Sequence, residues 1–367
     1  MKKQTSAATE TKGKGRNIMD YSGKTIFVGI DIHQKDWQVA TQCEGLTLGN
    51  HRMSASSQGL INYLNKHYPG ALFSCAYESC AWGFNLQRQL TASGMQCMVV
   101  HAADLPSTNK ERVNKTDKVD ARRLSEYLEM GHLKPINVPT EGLQKDRSLI
   151  RLRKTIVRDL TRCRNRLKSA LKYHGIDIPE KFAKGWSHNF MEWIEQQANN
   201  DERLRDTLLF MHKNIIHHRK LLLDIERRLR LLMHNETYYS QTKLATSVVG
   251  IGPVTAAQFV LEIGDVSRFP TADKLNNYIG LYPGSNDSGD LEKSTGITPR
   301  KHTHLRSAFI EAAWVAIRTD PAMMESYKTL TKRMDGNKAI IRIARKLLRR
   351  LRTVLLTNIP YQKGIVS

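Results

Sequence analysis

The chain has 367 residues, and its 57 Lys and Arg against 35 Asp and Glu leave a formal net charge of +22. This length allows two or three domains, and 40% hydrophobic residues can bury more than one core, which excludes a disordered basic tail. No apolar run approaches the length of about 18 residues that a membrane span needs, and the Lys-rich start lacks the apolar stretch of a secretory signal. We therefore expect a soluble, cytoplasmic protein that binds a polyanion, most commonly nucleic acid, and no membrane.

The cysteines match neither a disulfide framework nor a zinc pattern, because their number is odd and their spacing irregular. They are Cys43, Cys75, Cys80, Cys97 and Cys163. We expect them to be reduced and mostly buried.

The segment from residue 24 to 130 predicts an α/β layer with a mixed sheet. The predicted elements are strands at 26–32, 37–41 and 48–53, a helix at 57–67, a strand at 71–77, a helix at 84–92, a strand at 96–100 and a last helix that begins at 117. The first two strands should form a hairpin, because a polar turn at 33–35 separates them.

Four acids occupy positions in this segment that suggest chemistry. Asp31 lies within an apolar strand, where a charge is costly, and Glu78 closes a later strand. Asp117 and Asp120 share one face at the start of the last helix, where capping is an alternative role for them. Carboxylates at two strand ends and one helix face can converge on a pair of Mg²⁺ ions, which support phosphodiester chemistry.

The positive charge concentrates in helical segments. Between residues 145 and 172 there are eleven basic residues and only two acids, on a pattern of apolar positions three and four apart. Residues 204–232 continue with a heptad seam interrupted only by His218, so we expect an antiparallel or intermolecular coiled coil. A third basic helix, over 338–355, should pack on the preceding domain with its basic face outward. A solvated outer face is the alternative role for such charge, but the imbalance favours a phosphate-facing stripe.

Residues 244–314 contain two Gly-rich segments. The first has the form of a helix-hairpin-helix turn, in which Gly250 and Gly252 could present amides to a phosphate, although a plain inter-helix turn has the same pattern. The second, 280–290, is predicted to be a loop between two helices. A serine in it would lie near Arg300, Lys301 and Arg306, a setting that favours attack of a hydroxyl on a phosphate.

The motifs FVGIDIHQKDWQVA, YESCAWGFNLQRQL and NKTDKVDARRLSEYL resemble the RuvC-like, ribonuclease H-fold domain of DEDD-type transposases of insertion-sequence family 110. The stretch 250–314 is similar to the C-terminal transposase domain of that family. The resemblance implies that Asp31, Glu78, Asp117 and Asp120 are metal-binding catalytic acids, with two Mg²⁺ ions per site. It also implies that Ser288 is a covalent nucleophile, with Ser285 and Ser294 as alternatives.

The resemblance and the helical pattern of the middle region together predict an overall class of α/β plus α: a mixed-sheet domain at 23–135, a helical coiled coil at 140–240 and a mainly helical serine transposase domain at 241–335. A basic tail at 1–22 and a basic C-terminal helix and tail at 336–367 complete the expected organisation. The implied partners are donor and target DNA, a structured noncoding bridge RNA, and further copies of the chain in a dimer or tetramer. The expected contacts with nucleic acid come from nine basic residues: Arg151, Arg158, Arg162, Arg166, Arg300, Lys301, Arg306, Arg345 and Arg349.

The expected function is therefore that of a transposase or recombinase. Two other classes remain open. A metal-dependent nuclease of the Holliday-junction-resolvase type would use the four acids and no serine, and a noncatalytic nucleic-acid-binding scaffold would need neither.

Overall fold

The computed structural model describes residues 20–105, 116–182, 185–288, 291–298 and 300–363, with the backbone alone described for 283–288 and 291–296. Most of the expected basic tail at 1–22 lies outside these residues. The chain divides into two units, Met1–Val138 and Pro139–Ser367. Within the described residues, no helix combines the length and apolarity that a membrane crossing requires.

The first unit is built on a five-stranded mixed sheet in the order β3-β2-β1-β4-β5. Its strands are β1 (Thr25–Ile32), β2 (Asp36–Cys43), β3 (Leu46–Ser54), β4 (Leu72–Glu78) and β5 (Gln96–Val100). Its helices are α1 (Ser57–His67), α2 (Asn85–Ala92) and α3 (Asp117–Glu129). The predicted order of elements is confirmed, with a β1–β2 hairpin and parallel pairing of β1 with β4 and of β4 with β5.

Helix α3 lies directly against β1, and a glycine makes this possible. A Cβ atom at Gly29 would overlap the carbonyl oxygen of Ala121 and would lie 2.8 Å from Cβ of Leu124. Only a residue without a side chain allows the helix to approach the strand so closely. The N-terminus of α3 is therefore held beside the C-terminal end of β1.

The second unit is mainly helical. Its helices are α4 (Glu141–Tyr173), α5 (His188–Asn200), α6 (Arg205–Met233), α7 (Tyr239–Ser247), α8 (Pro253–Ile263), α9 (Ala272–Ile279), α10 (Leu305–Thr319), α11 (Pro321–Thr331) and α12 (Gly336–Thr357). A short hairpin of β6 (Pro283–Ser288) and β7 (Leu291–Ile297) lies between α9 and α10.

The long helices α4 and α6 run antiparallel within one chain. The start of α4 packs near the end of α6, where Ile150 and Met233 share a core, and the end of α4 packs near the start of α6, where Leu167 and Leu208 share another. The sequence missed α5, which lies between the two long helices in the chain. The apolar positions of the predicted seam are buried or packed against these cores. His212 is buried beside the seam, and the interrupting His218 is half-buried, with its Nδ1 2.9 Å from the carbonyl oxygen of Asn214.

The C-terminal helix α12 docks as expected. Its apolar face, which includes Ile343, Leu347 and Leu351, is completely buried in the core that α8, α9 and α10 build. Arg342 and Arg349 remain exposed on its other face.

Candidate functional site

Two acids and a histidine of the first unit come together at the end of β1. The Nε2 atom of His33 lies 3.3 Å from Oδ2 of Asp31 and 3.4 Å from Oδ1 of Asp117. One ligand atom from each of these three residues lies within 4.8 Å of the other two. Two carboxylates and an imidazole in this arrangement could hold a divalent cation.

The other two predicted acids lie at the same edge of the sheet. β4 pairs in parallel with β1, with Tyr77 opposite Ile30, so Glu78 follows on β4 where Asp31 follows on β1. Asp120 lies one turn along α3 from Asp117, and Nη1 of Arg123 is 3.5 Å from its Oδ1. The sheet and α3 thus carry all four acids to one end of the domain.

Asp31 is repelled by the negative charges of two other carboxylates. Burial raises the pKa of this carboxyl, and the negative charges of Asp117 and Asp120 raise it further, whereas His33 opposes the shift. A group of like charges in this state favours a cation at the site, because the cation offsets their repulsion.

A chain of side-chain hydrogen bonds fixes the helix that carries two of the acids. The amide of Gln38 donates to Oδ1 of Asn50 at 2.6 Å, and Nδ2 of Asn50 donates to the carbonyl oxygen of Lys118 at 2.9 Å. Gln38 is buried and pairs with Asp31 across the β1–β2 ladder. Thr116 caps the same helix by accepting a hydrogen bond from the amide of Val119.

His33 is the member of this group that sequence reasoning did not select. The sequence placed it in a polar turn, where a histidine has no special meaning. The Asp-Ile-His spacing was the available signal, since residues two apart at a strand end face the same side.

In the second unit, the predicted serine lies on a hairpin and not in a loop, so that expectation is wrong. Backbone pairing sets Ser288 opposite Leu291 and Ser285 opposite Ser294. The segment is rich in Gly, Asn, Asp and Ser, which are scarce in strands, and this composition concealed the pairing.

Hydrogen bonds connect the base of the hairpin to the residue before β6 and to α10. The amide of Thr298 donates to the carbonyl oxygen of Tyr282 at 3.1 Å, and Nη1 of Arg306 donates to the carbonyl oxygen of Thr298 at 2.8 Å. At the first end, Gly280 has a φ of +85° and leaves no room for a side chain beside Lys301.

A buried acid holds the segment that follows the hairpin. Glu262 at the end of α8 accepts two hydrogen bonds of 2.8 Å from Arg151, and its Oε2 lies 3.5 Å from Nε of Arg147 and from Nε2 of His302. Burial alone would raise the pKa of Glu262, but the hydrogen bonds from Arg151 and His302 and the charge of Arg151 outweigh it and lower the pKa to about 2. Lys154 adds a 2.6 Å hydrogen bond to the carbonyl oxygen of Thr303.

The basic residues predicted to bind nucleic acid all lie in the second unit. Arg151, Arg162, Arg306 and Arg345 contact Glu262, Asp159, the Thr298 carbonyl and Asp273. Arg306 and Arg345 are half-buried, and the other predicted residues are exposed: Arg151, Arg158, Arg162, Arg166, Arg300, Lys301 and Arg349.

Close packing explains one of the two glycines in the turn before α8. Gly250 has a φ of +93°, and a Cβ there would lie 2.6 Å from the carbonyl oxygen of Ala312. Gly252, which precedes α8, meets no atom within 4 Å of a Cβ and is exposed with Pro253. Gly252 is therefore an exposed glycine at the N-terminus of α8, where an amide could face a ligand.

Comparison with known proteins gives two family matches. Residues 242–328 match a family described as "Transposase IS116/IS110/IS902 family", and residues 28–175 match a DEDD family of IS110 described as "Transposase". The chain is 27% identical to a putative transposase, y4qE, of Sinorhizobium fredii, over 82% of this chain and 73% of that protein. It is 22% identical to the transposase for insertion sequence element IS1111A of Coxiella burnetii, over 73% and 74% of the two chains. A pilin gene-inverting protein of Moraxella lacunata is 35% identical over 35% of this chain and 41% of its own length.

Proposed function

The chain belongs to the IS110 family of insertion-sequence transposases, and we propose that it cuts and rejoins DNA with a divalent metal held by Asp31, Glu78, Asp117 and Asp120. One observation carries the proposal, namely that Asp31, His33 and Asp117 meet at the end of β1 with their ligand atoms within 4.8 Å. The metal we propose is Mg²⁺, with two ions per site, in a domain of ribonuclease H-like fold.

The acids and their supports each have a part in this scheme. Bound Mg²⁺ would activate the attacking oxygen and stabilise the leaving oxygen of a phosphodiester. Asp31 and Asp117 would hold the ions from two different elements, a strand and a helix. Gln38 and Asn50 fix the position of that helix, and His33 orients both carboxylates through its ring nitrogen.

We propose that Ser288 is the nucleophile that joins the protein covalently to DNA, with Ser285 and Ser294 as alternatives. The pairing of β6 with β7 supports this role, because it sets the backbone of Ser288 opposite Leu291 and a nucleophile needs a defined position. The exposed Arg300 and Lys301 beyond the hairpin add positive charge where the phosphate would gain negative charge.

We also propose a guide RNA and a homo-oligomer, either a dimer or a tetramer, with α4 and α6 in the coiled-coil region at 140–240. A net charge of +22 supports two polyanionic partners. Arg158, Arg166 and Arg349 are exposed on helices, which suits contacts with phosphates. Arg151 would act instead from within its ion pair with Glu262. We further propose that the other domains span residues 23–135, 241–335 and 336–367, and that a helix-hairpin-helix-like turn lies at Gly252.

A transposition assay in cells tests the proposal. A donor plasmid carries a marked element with the protein supplied in trans, and the insertion frequency is measured for the wild type, Asp31→Asn and Asp117→Asn. Asp36→Asn is the matched control, since Asp36 lies in the same sheet and pairs with Arg52 at 2.9 Å, outside the cluster. We expect both cluster variants to abolish insertion and the control to retain it. Retention of insertion by both cluster variants would contradict the proposal.

A metal-dependent nuclease without serine chemistry is the second candidate, and it is favoured by the same acid cluster. It predicts that Ser288→Ala, together with Ser285→Ala and Ser294→Ala, leaves strand transfer intact. Our proposal predicts loss of strand transfer in the variant that removes the nucleophile. A noncatalytic scaffold would retain insertion in Asp31→Asn.

A further inference from the structure

A cleft opens beside the acid cluster in the first unit. Its volume is about 430 Å³, which exceeds that of a single nucleobase. His33 lines it and also contacts Asp31 and Asp117, so cleft and cluster share one side chain. A ligand in the cleft would therefore touch the group that orients the acids.

A tryptophan stands at this cleft with half of its surface exposed. Trp82 is 50% exposed, whereas Trp37, which also lines the cleft, is buried. Trp82 does not belong to the core that the sheet and helices build among the described residues. At the cleft, this half-exposed indole offers a face on which a planar ring could stack.

Two hydrogen bonds fix the turn that carries Trp82. The hydroxyl of the buried Tyr77 donates to the carbonyl oxygen of Gly83 at 3.2 Å, and the amide of Gly83 donates to the carbonyl oxygen of Cys80 at 3.2 Å. The ring is thus attached to a turn directly after Glu78, and one strand positions both residues. Little conformational freedom of that turn would be lost on binding.

The lining has the chemistry of a nucleobase site. Gln34, Asn85 and Gln89 offer amide donors and acceptors, and the apolar wall comes from Ile32 and Leu86. Among the described residues, no carboxylate lines the cleft. Base edges require paired donors and acceptors, and base faces stack on aromatic rings.

We infer that this cleft holds an unpaired nucleobase of the DNA strand whose phosphate lies at the acid cluster, stacked on Trp82. The inference rests on the proposed function for the position of that phosphate. The ring and the amide groups would select a strand that is locally single, because a paired base presents no free face. The proposed occupant is DNA, and the binding experiment distinguishes it from single-stranded RNA.

Equilibrium binding in EDTA tests the inference apart from cleavage. The probe is a single-stranded deoxyoligonucleotide with one 2-aminopurine, whose fluorescence falls when the base stacks, compared with the same sequence as a duplex and as RNA. The variants of the full chain are Trp82→Ala and Trp82→Phe. Leu72→Ala, at the opposite end of β4 and 66% exposed, is the control.

We expect Trp82→Ala to weaken binding of the single strand by about 5- to 150-fold, the range measured for loss of one stacked base, and to remove the quenching. Trp82→Phe should keep most of both, because its ring still stacks, and Leu72→Ala should bind like the wild type. Three results would overturn the inference: unchanged binding by Trp82→Ala, equal losses on single strand and duplex, or a loss confined to RNA. Failure of the metal proposal would be detected in a separate assay, in which the Asp31→Asn variant would still cleave DNA.

Discussion

Gly29 of β1 lies against Ala121 of α3 so closely that any side chain at position 29 would overlap the Ala121 carbonyl oxygen. This contact sets the distance between the strand that carries Asp31 and the helix that carries Asp117 and Asp120. The spacing of the candidate metal site therefore depends on the absence of one methyl group.

Gly29→Ala should separate β1 from α3. Overpacking of this kind costs about 1–3 kcal/mol in the free energy of unfolding, and it should also reduce DNA cleavage because the acids move apart. Thermal unfolding and cleavage measured on the same preparation would check both effects. Gly59→Ala in α1 is the control, since the nearest atoms to its Cβ lie at 3.4 Å. A fully active and stable Gly29→Ala variant would contradict the packing argument.

Asp31→Asn should stabilise the metal-free protein while removing its function. The negative charges of Asp117 and Asp120 act on Asp31 in a partly buried position, and a neutral amide relieves their repulsion. We expect a higher Tm without metal, and an increase in Tm on addition of Mg²⁺ for the wild type only. A Tm of the variant that rises equally with Mg²⁺ would show that the ion binds elsewhere.

His33→Gln should weaken metal binding without abolishing it. The ring contacts two proposed ligands, and loss of such an orienting group typically lowers metal affinity by about 10- to 100-fold. Titration with Mn²⁺, monitored by electron paramagnetic resonance, gives the affinity directly. Unchanged affinity would remove His33 from the site.

Glu262→Gln should loosen the segment that follows the hairpin. The pKa of Glu262 is about 2 against an ordinary value of 4.5, so the acid stabilises the folded state above pH 4.5 and loses this effect as the pH falls towards 2. We expect a loss of about 2 kcal/mol at neutral pH, reduced from the value for a fully buried pair because Arg151 is half exposed. The difference in unfolding free energy between wild type and variant should shrink below pH 4.5. A difference that is constant from pH 7 to pH 3 would contradict this assignment.

Ser288→Ala should eliminate a covalent adduct between the protein and DNA. With labelled DNA, the purified protein together with the proposed guide RNA and Mg²⁺ should give a band that survives boiling in detergent, because a phosphoserine bond is covalent. If the adduct persists in Ser288→Ala and disappears in Ser285→Ala or Ser294→Ala, one of those serines is the nucleophile. If the active wild type forms no adduct, the serine mechanism is wrong.

The sheet of the first unit could be predicted from the sequence, because its apolar runs are short, regular and separated by clear turns. Asp31 stood out for the same reason, as a charge within such a run. The role of Gly29 could not be predicted, since a glycine in a strand gives no indication of which helix will lie against it. Helix α5 was missed because a Gly- and Pro-containing segment precedes it. Contacts between residues far apart in the chain, such as those of Arg151 with Glu262, produce no periodic pattern in the sequence.

Cleavage of DNA by the purified protein tests the account most directly. A labelled substrate carrying an element end is incubated with the protein and any RNA that co-purifies with it, with Mg²⁺ or EDTA, for the wild type, Asp31→Asn, Asp117→Asn and the control Asp36→Asn. We predict strand cleavage by the wild type and the control in Mg²⁺ alone, and none by the two cluster variants. Cleavage in EDTA, or cleavage at the wild-type rate by Asp31→Asn, would contradict the claim that this cluster is the catalytic metal site.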